Sequence, residues 1–207
     1  MPWIIQPGGS SPWGEDQSKH LATPKYTEWE ERRKIWAVKR RAERKVDAET
    51  VFINELYEGE AVQNPENLPR TIRWKKRGKL KDCVSFIGHL VLSTRARDMI
   101  EELEPGVHDF FEIKMEHIKS GEIWPEPFWL LHVRNKFDSI DEEHTHSQRS
   151  QFVFRKEAVR NIHLWRDSRF ELRRRTFASD HFVSELERRG IEGIGTSSLY
   201  CKTTENG

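Results

Sequence analysis

Hydrophobic residues recur at helical spacing in two stretches of the chain, and in each stretch a short apolar run and a serine come first. The first stretch begins with the apolar residues 90–92 and Ser93, whose hydroxyl is suited to accept a backbone N–H of the first helical turn. Four apolar residues then fall on one helical face: Ala96, Met99, Ile100 and Leu103. Pro105 and Gly106 end this pattern. We therefore predict a strand, a serine-capped helix and a second strand that starts at Val107.

The same order of elements returns near the C-terminus. Residues 176–178 precede Ser179, a second apolar helical face follows, and Gly190 ends it. This face consists of Phe182, Val183 and Leu186. The sequence thus predicts two serine-capped strand–helix units, although any small α/β domain can contain such units by chance.

Alternation of apolar and polar residues predicts strands in the rest of the chain. Residues 110–118 alternate in this way, and residues 128–133 form an apolar run typical of a buried strand, so we predict a hairpin between them. Further strands are expected at 71–74, 151–155 and 161–166, with a short edge strand at 3–5. The predicted fold class is α+β, with a mixed, largely antiparallel sheet and helices packed on it.

Residues 26–48 differ from the rest because they lack Gly and Pro and carry many charges. Thr27 and Glu30 have the spacing of a capping box, so this segment predicts a long, mostly solvated helix. We expect three parts: an N-terminal helical extension over 1–75, an α+β domain over 76–200 and a polar tail over 201–207.

Composition narrows the class of protein. Among 207 residues, 35% are hydrophobic and 33% are charged, and an aromatic share of 11% argues against a disordered chain. The net charge of +1 gives no overall basic excess that would indicate nucleic-acid binding. Cys83 and Cys201 lack metal-ligand spacing, and we find neither a targeting segment nor an apolar run of about 18 residues. We expect a cytoplasmic protein without a membrane partner.

The segment with the most potential for catalysis contains Asp141, His144 and His146. These residue types bind metal ions, and a His-X-His pair can share one ion, which leaves a metal-dependent enzyme as an alternative. The polar, loop-like surroundings favour a solvated loop instead. Because recognisable nucleophile, phosphate-loop and metalloprotease motifs are missing, we expect no enzyme, no catalytic residue, no metal and no cofactor.

A second alternative is a nucleic-acid-binding module that uses the basic stretches 39–45 and 75–77. A run of charges on a helix is usually a solvated face, so no nucleic-acid partner is expected.

Acidic residues form two groups that are candidates for binding a protein partner. Side by side they would make a negative patch able to occupy the basic groove of a nuclease, although ordinary helix and loop surface explains them equally well. Trp124, which lies next to proline, is a candidate interface anchor, although core packing is the commoner role. The acidic candidates are Glu101, Glu102, Glu104, Asp109, Asp138, Asp141, Glu142 and Glu143.

Residues 99–111 read MIEELEPGVHDFF, in which a short predicted helix ends at Pro105-Gly106 and two phenylalanines follow. This segment resembles bacterial immunity protein family 11, also described as domain of unknown function 1629, in which a short helix ends in leucine-glutamate-x-proline-glycine before glutamine and two phenylalanines. Residues 128–141, 162–166 and 177–194 resemble later family segments in the same order. The resemblance covers roughly residues 80–200, and His108-Asp109 departs from the commoner glutamine.

This resemblance implies an immunity protein that binds a cognate secreted bacterial toxin and neutralises it by stoichiometric occlusion. Toxins of such systems are often nucleases. The same resemblance implies a cytoplasmic location and a role without catalysis.

Overall fold

The structure is a computed structural model that describes residues 2–7, 56, 59–63, 65–74, 79–86, 88–145, 152–169, 175–197 and 201–203. The helix predicted over 26–48, the basic stretches 39–45 and 75–77, and His146 lie outside the described residues.

The described residues form twelve strands, two α-helices and a short 3-10 turn at Pro65–Asn67. The strands before the first helix are β1 (Trp3–Pro7), β2 (Thr71–Trp74), β3 (Cys83–Phe86) and β4 (His89–Ser93). Helix α1 (Thr94–Leu103) is followed by β5 (Asp109–His117), β6 (Phe128–His132), β7 (Lys136–Phe137), β8 (Phe152–Phe154), β9 (Leu164–Asp167) and β10 (Thr176–Ala178). Helix α2 (Asp180–Arg188) precedes β11 (Ile194–Ser197) and β12 (Cys201–Thr203).

The first sheet has the strand order β2-β5-β6-β4-β3. Strands β5 and β6 pair antiparallel from Asp109 opposite His132 to Ile113 opposite Phe128, which confirms the predicted hairpin. Strand β2 joins this sheet parallel to β5, whereas the other pairs are antiparallel. The first sheet is therefore mixed and largely antiparallel, as the alternating pattern indicates.

The second sheet has the order β11-β1-β10-β9-β7, and β12 pairs separately with β8. Strand β1 lies between β10 and β11 and is antiparallel to both, so the prediction of an edge strand at residues 3–5 is wrong. Both partner strands come from the C-terminal part of the chain, and each pairs with one edge of β1. The α+β class is confirmed.

Strands β1 and β2 belong to the segment that we assigned to an N-terminal extension, and each pairs with strands that follow residue 76. The division of the chain at residue 75 stays a prediction.

Both helices begin at a serine. The Oγ of Ser93 accepts the N–H of Ala96 at 3.4 Å, and the Oγ of Ser179 accepts the N–H of Phe182 at 3.1 Å. Glycines with positive φ follow both helices, at Gly106 and Gly190. Neither of these helices is long and apolar enough to cross a membrane, and the same holds throughout the described residues.

One hydrophobic core lies between the two sheets. It receives the buried faces of α1 and α2, side chains from β4 and β6 of the first sheet, and side chains from β1, β9 and β10 of the second. Its members include Ile5, Leu90, Leu92, Ala96, Met99, Ile100, Leu131, Leu164, Ala178, Phe182 and Leu186. Because each serine-capped helix packs into this core, the two sheets form one unit.

Each sheet has a further core that this first core does not include. In the first sheet, Val91, Ile113 and Leu130 pack with Leu56 and other apolar residues. In the second sheet an aromatic cluster forms, in which the ring centroids of Phe154 and Phe177 are 4.9 Å apart.

The turn after α2 packs tightly against β3. The backbone N–H of Cys83 donates to the carbonyl of Glu192 at 2.9 Å. Gly193 has φ +90°, and a Cβ at this position would lie 2.2 Å from the carbonyl oxygen of Cys83. Burial raises the pKa of the Cys83 thiol, so the residue packs as an inert apolar side chain.

We expect Gly193→Ala to destabilise the protein by roughly 3 kcal/mol or more, because the methyl group meets backbone atoms and the left-handed conformation becomes strained. Gly106→Ala is the matched control, since Gly106 has φ +67° and open space around it. That control should cost only about 1–2 kcal/mol. Urea unfolding measures the free energy of unfolding of both variants. Equal losses would show that the close approach of Gly193 to Cys83 does not affect stability.

Candidate partner-binding surface

A groove of about 560 Å³ lies at the surface between α1 and the β5–β6 hairpin. It contains two of the predicted partner-binding residues, Glu101 and Asp109. The other residues that line it are Ala61, Val62, Arg97, His108, Phe110, Phe111 and Trp129. We call this surface the α1–β5 groove.

Aromatic side chains form the centre of the α1–β5 groove. The guanidinium of Arg97 lies 4.2 Å from the ring centroid of Trp129, which is a cation–π arrangement. The indole N–H of Trp129 donates to the Thr94 hydroxyl at 3.2 Å. Trp129 is half-buried, although the apolar run over residues 128–133 predicts a buried strand. A rigid, partly exposed Trp–Arg pair is a common centre of a protein interface.

The acidic residues of the groove are anchored by neighbouring backbone and side-chain groups. The Oε1 of Glu101 accepts the N–H of Gly106 at 2.8 Å. The Oδ2 of Asp109 lies 3.1 Å from Nδ1 of His132, and its Oδ1 lies 3.8 Å from Arg134. These anchors fix the direction of two carboxylates beside an aromatic centre.

Glu104, another of the predicted partner-binding residues, is buried, with 7% of its surface exposed. Its Oε2 lies 2.8 Å from Nε2 of His108, and its Oε1 accepts the side-chain amide of Asn135 at 3.0 Å and the backbone N–H of His163 at 2.9 Å. The Nδ1 of His108 accepts the N–H of Arg134, so the proton lies on Nε2 and is donated to Glu104. Glu104 therefore joins structural segments, and its contact with a partner stays a prediction.

Glu102 lies on the exposed side of α1 and pairs with the end of α2. Its Oε2 is 2.6 Å from Nη2 of Arg189, which also pairs with Glu185 at 3.0 Å. The hydrogen bond from Arg189 lowers the pKa of the Glu102 carboxyl. Glu102 is therefore accessible but already has a cationic partner.

The second acidic group lies in the loop after β7, and arginines offset part of its charge. Asp138 lies 2.8 Å from Arg155 and 3.1 Å from Arg169, and Glu142 lies 3.2 Å from Arg169. Glu143 is exposed. The first and second acidic groups thus have different sets of partners, and in the second two arginines stand beside four carboxylates.

Asp141 shapes the same loop. Its Oδ1 accepts the backbone N–H groups of Glu143 and His144, and its Oδ2 lies 2.9 Å from Nδ1 of His144. This side-chain hydrogen bond lowers the pKa of Asp141. Within the described ranges, no three His, Cys, Asp or Glu side chains are arranged to hold a metal ion. His146, the third residue of the metal alternative, lies outside those ranges.

Trp124 is half-buried against the first sheet. Its ring packs edge-on against Trp74 with centroids 6.0 Å apart, and its backbone N–H donates to Met115 at 2.8 Å. The neighbouring Ile123 is 47% exposed. The ring of Trp124 thus packs on the core and still reaches solvent, and its role as an interface anchor stays a prediction.

The chain was compared with known proteins. The model of the immunity protein family Imm11 matches residues 16–198, which is most of the chain. The chain belongs to this family. A search of curated proteins gives no match. The Imm11 match begins well before residue 80, where the resemblance in the sequence begins, so the family includes more of the N-terminal part than we expected.

The sequence analysis did not single out the remaining groove residues of this Imm11 protein, which include Arg97, Phe110, Phe111 and Trp129. Phe110 and Phe111 belong to the segment that carries the family resemblance, which was a usable signal. Trp129 stands opposite Leu92 and Glu112 in neighbouring strands. An apolar run does not show which face of the strand stays exposed to solvent. The partial exposure of Trp129 therefore follows only from the strand register.

We expect Glu104→Ala to destabilise the protein by roughly 3 kcal/mol or more, since it leaves buried donors of His108 and Asn135 and the His163 backbone without an acceptor. Glu102→Ala is the matched control on the same helix, and its exposed ion pair should contribute far less. Thermal and urea unfolding measure both. A loss for Glu104→Ala no larger than for Glu102→Ala would contradict the structural role of the carboxylate.

Proposed function

We propose that this protein binds a cognate secreted bacterial toxin in the cytoplasm and neutralises it by covering the toxin's functional surface. Membership of the Imm11 family supports a role in toxin immunity. The structural observation behind the choice of surface is the α1–β5 groove, which is lined by Trp129 and Arg97 together with Glu101 and Asp109.

The composition of the groove suits a protein partner. Stable interfaces have a centre of aromatic and arginine side chains, surrounded by charged and polar residues that remain in contact with water. Here the Trp–Arg pair and two phenylalanines form the centre, and carboxylates stand beside them. A partner that inserts a side chain against Trp129 would bury aromatic area at small entropic cost, because the ring is already held by Thr94.

The charges of the groove indicate the chemistry of the partner. Glu101 and Asp109 provide negative charge, which Arg97 in the groove and Arg134 beside Asp109 offset in part. Glu102 lies on the same helix as Glu101 and is paired with Arg189. A toxin with a basic substrate groove, as nucleases have, would be attracted to such a surface, and the carboxylates would take the place of substrate phosphates. We therefore favour a nuclease as the cognate toxin.

Neutralisation of this kind requires no chemical step by the immunity protein. The toxin is inactive as long as the complex persists, so the dissociation rate and not turnover sets the protection. Trp124 and the exposed acids of the loop after β7, Glu142 and Glu143, are proposed as a secondary contact area.

The proposal predicts that Trp129→Ala and Glu101→Lys weaken binding to the toxin encoded by the neighbouring gene by roughly 30-fold or more each, as loss of an interface hot spot does. Cells that express the toxin should lose protection by these variants. Glu187→Lys is the matched control, because it reverses an exposed charge on α2 outside the groove. Calorimetry of the purified pair and growth rescue measure the two effects, and thermal unfolding shows that the variants are folded.

Two results would overturn parts of this proposal. If the wild-type protein neither binds the neighbouring gene product nor rescues growth, the immunity function is wrong. If it does both, but Trp129→Ala and Glu101→Lys behave as Glu187→Lys does, the toxin binds elsewhere.

A further inference from the structure

A second cavity, of about 640 Å³, lies on the second sheet, away from the α1–β5 groove. The turn at residues 156–161, the start of α2 and β9 contribute its walls. Its volume is sufficient for a small organic molecule. Its polar and aromatic lining includes Lys156, Arg160, His163, Trp165, Ser179 and His181.

Trp165 gives the first indication of a ligand. The side chain is 1% exposed, and its indole N–H has no hydrogen-bond partner among the described residues. A buried donor without an acceptor is unfavourable, and native proteins rarely keep one without a reason such as a bound ligand or water. Trp165 is one of the residues that line the cavity, so we infer that the missing acceptor belongs there.

His163 supplies a second donor. Its Nδ1 lies 3.0 Å from the Ser179 hydroxyl, which already accepts the N–H of Phe182. We assign the hydroxyl proton to the bond with Nδ1, which places the imidazole proton on Nε2 at the opposite edge of the ring. Burial lowers the pKa of His163, against a raising effect of Glu104 and with a further lowering by His181, so the ring is neutral at pH 7.

The N-terminal end of α2 favours an anion in the cavity, because it adds the positive end of a helix dipole. The charged side chains of the lining balance each other in number. Its cations are Lys156 and Arg160, and its acids are Glu157, which lies 3.7 Å from Arg160, and Asp180, which accepts the indole N–H of Trp3 at 2.6 Å. His181 stands 5.2 Å from His163, measured between ring centroids.

We propose that this cavity binds a small ligand that carries an oxyanion, a carboxylate or a phosphate, through Nε2–H of His163 and Nε1–H of Trp165, with Arg160 as counter-charge. The site is separate from the groove assigned to the toxin, and it goes beyond the immunity function. Two N–H donors and a guanidinium are the groups that commonly hold such anions in proteins.

Proton–nitrogen correlation spectra of the full chain test the proposal through the indole signal of Trp165, which Trp165→Phe assigns. Titration with sodium phosphate, and separately with sodium acetate, should shift this signal to saturation in at least one of the two series. Sodium chloride at matched ionic strength should not shift it. The indole signal of Trp129 in the α1–β5 groove is the internal control and should stay in place throughout.

Two variants locate the anion. Arg160→Glu reverses an exposed charge and should weaken binding by about tenfold or more, and His163→Phe should weaken it comparably by removing one donor. Glu187→Lys serves as the control for a distant change of charge. The proposal is overturned if the Trp165 signal moves no differently in phosphate and acetate than in chloride. It is also overturned if both cavity variants bind as the wild type does.

Discussion

The hydrogen bonds of the Glu104 carboxylate connect the two halves of the fold. Its two oxygens contact His108 at the start of β5, Asn135 after β6 and the backbone of His163 before β9. A buried carboxylate is tolerated only where several donors replace the water it has lost. These hydrogen bonds therefore hold three parts of the fold together: the end of α1, the first sheet and the second sheet.

Asp82 makes a similar connection between the two serine-capped units. It accepts hydrogen bonds from the Ser93 hydroxyl, the Arg95 guanidinium and the backbone N–H of Glu192. Burial raises the pKa of Asp82, but these three hydrogen bonds lower it by more, and the net shift is downward. The carboxylate is thus ionised at neutral pH, and it holds the turn after α2 against the cap of α1.

The sequence was most informative where the structure depends on neighbours along the chain. The serines, the apolar helical faces and the β5–β6 hairpin are local features, and all are present in the structure. It was least informative where distant segments meet. Glu104 looks like one acid among several in its segment, and only the approach of His163, 59 positions later, makes it a buried acceptor. Likewise, the Arg97–Trp129 pair depends on how β6 pairs with β4.

The position of β1 has a consequence for synthesis of the chain. All strands of the first sheet lie within residues 71–132, so that sheet can assemble while the ribosome is still adding the remainder. The second sheet must wait, because β1 needs β10 and β11 as neighbours. Until they emerge, Leu90, Leu92 and Leu131 lack the side chains that later cover them. An apolar face left uncovered in this way is the kind of surface through which partly folded chains aggregate.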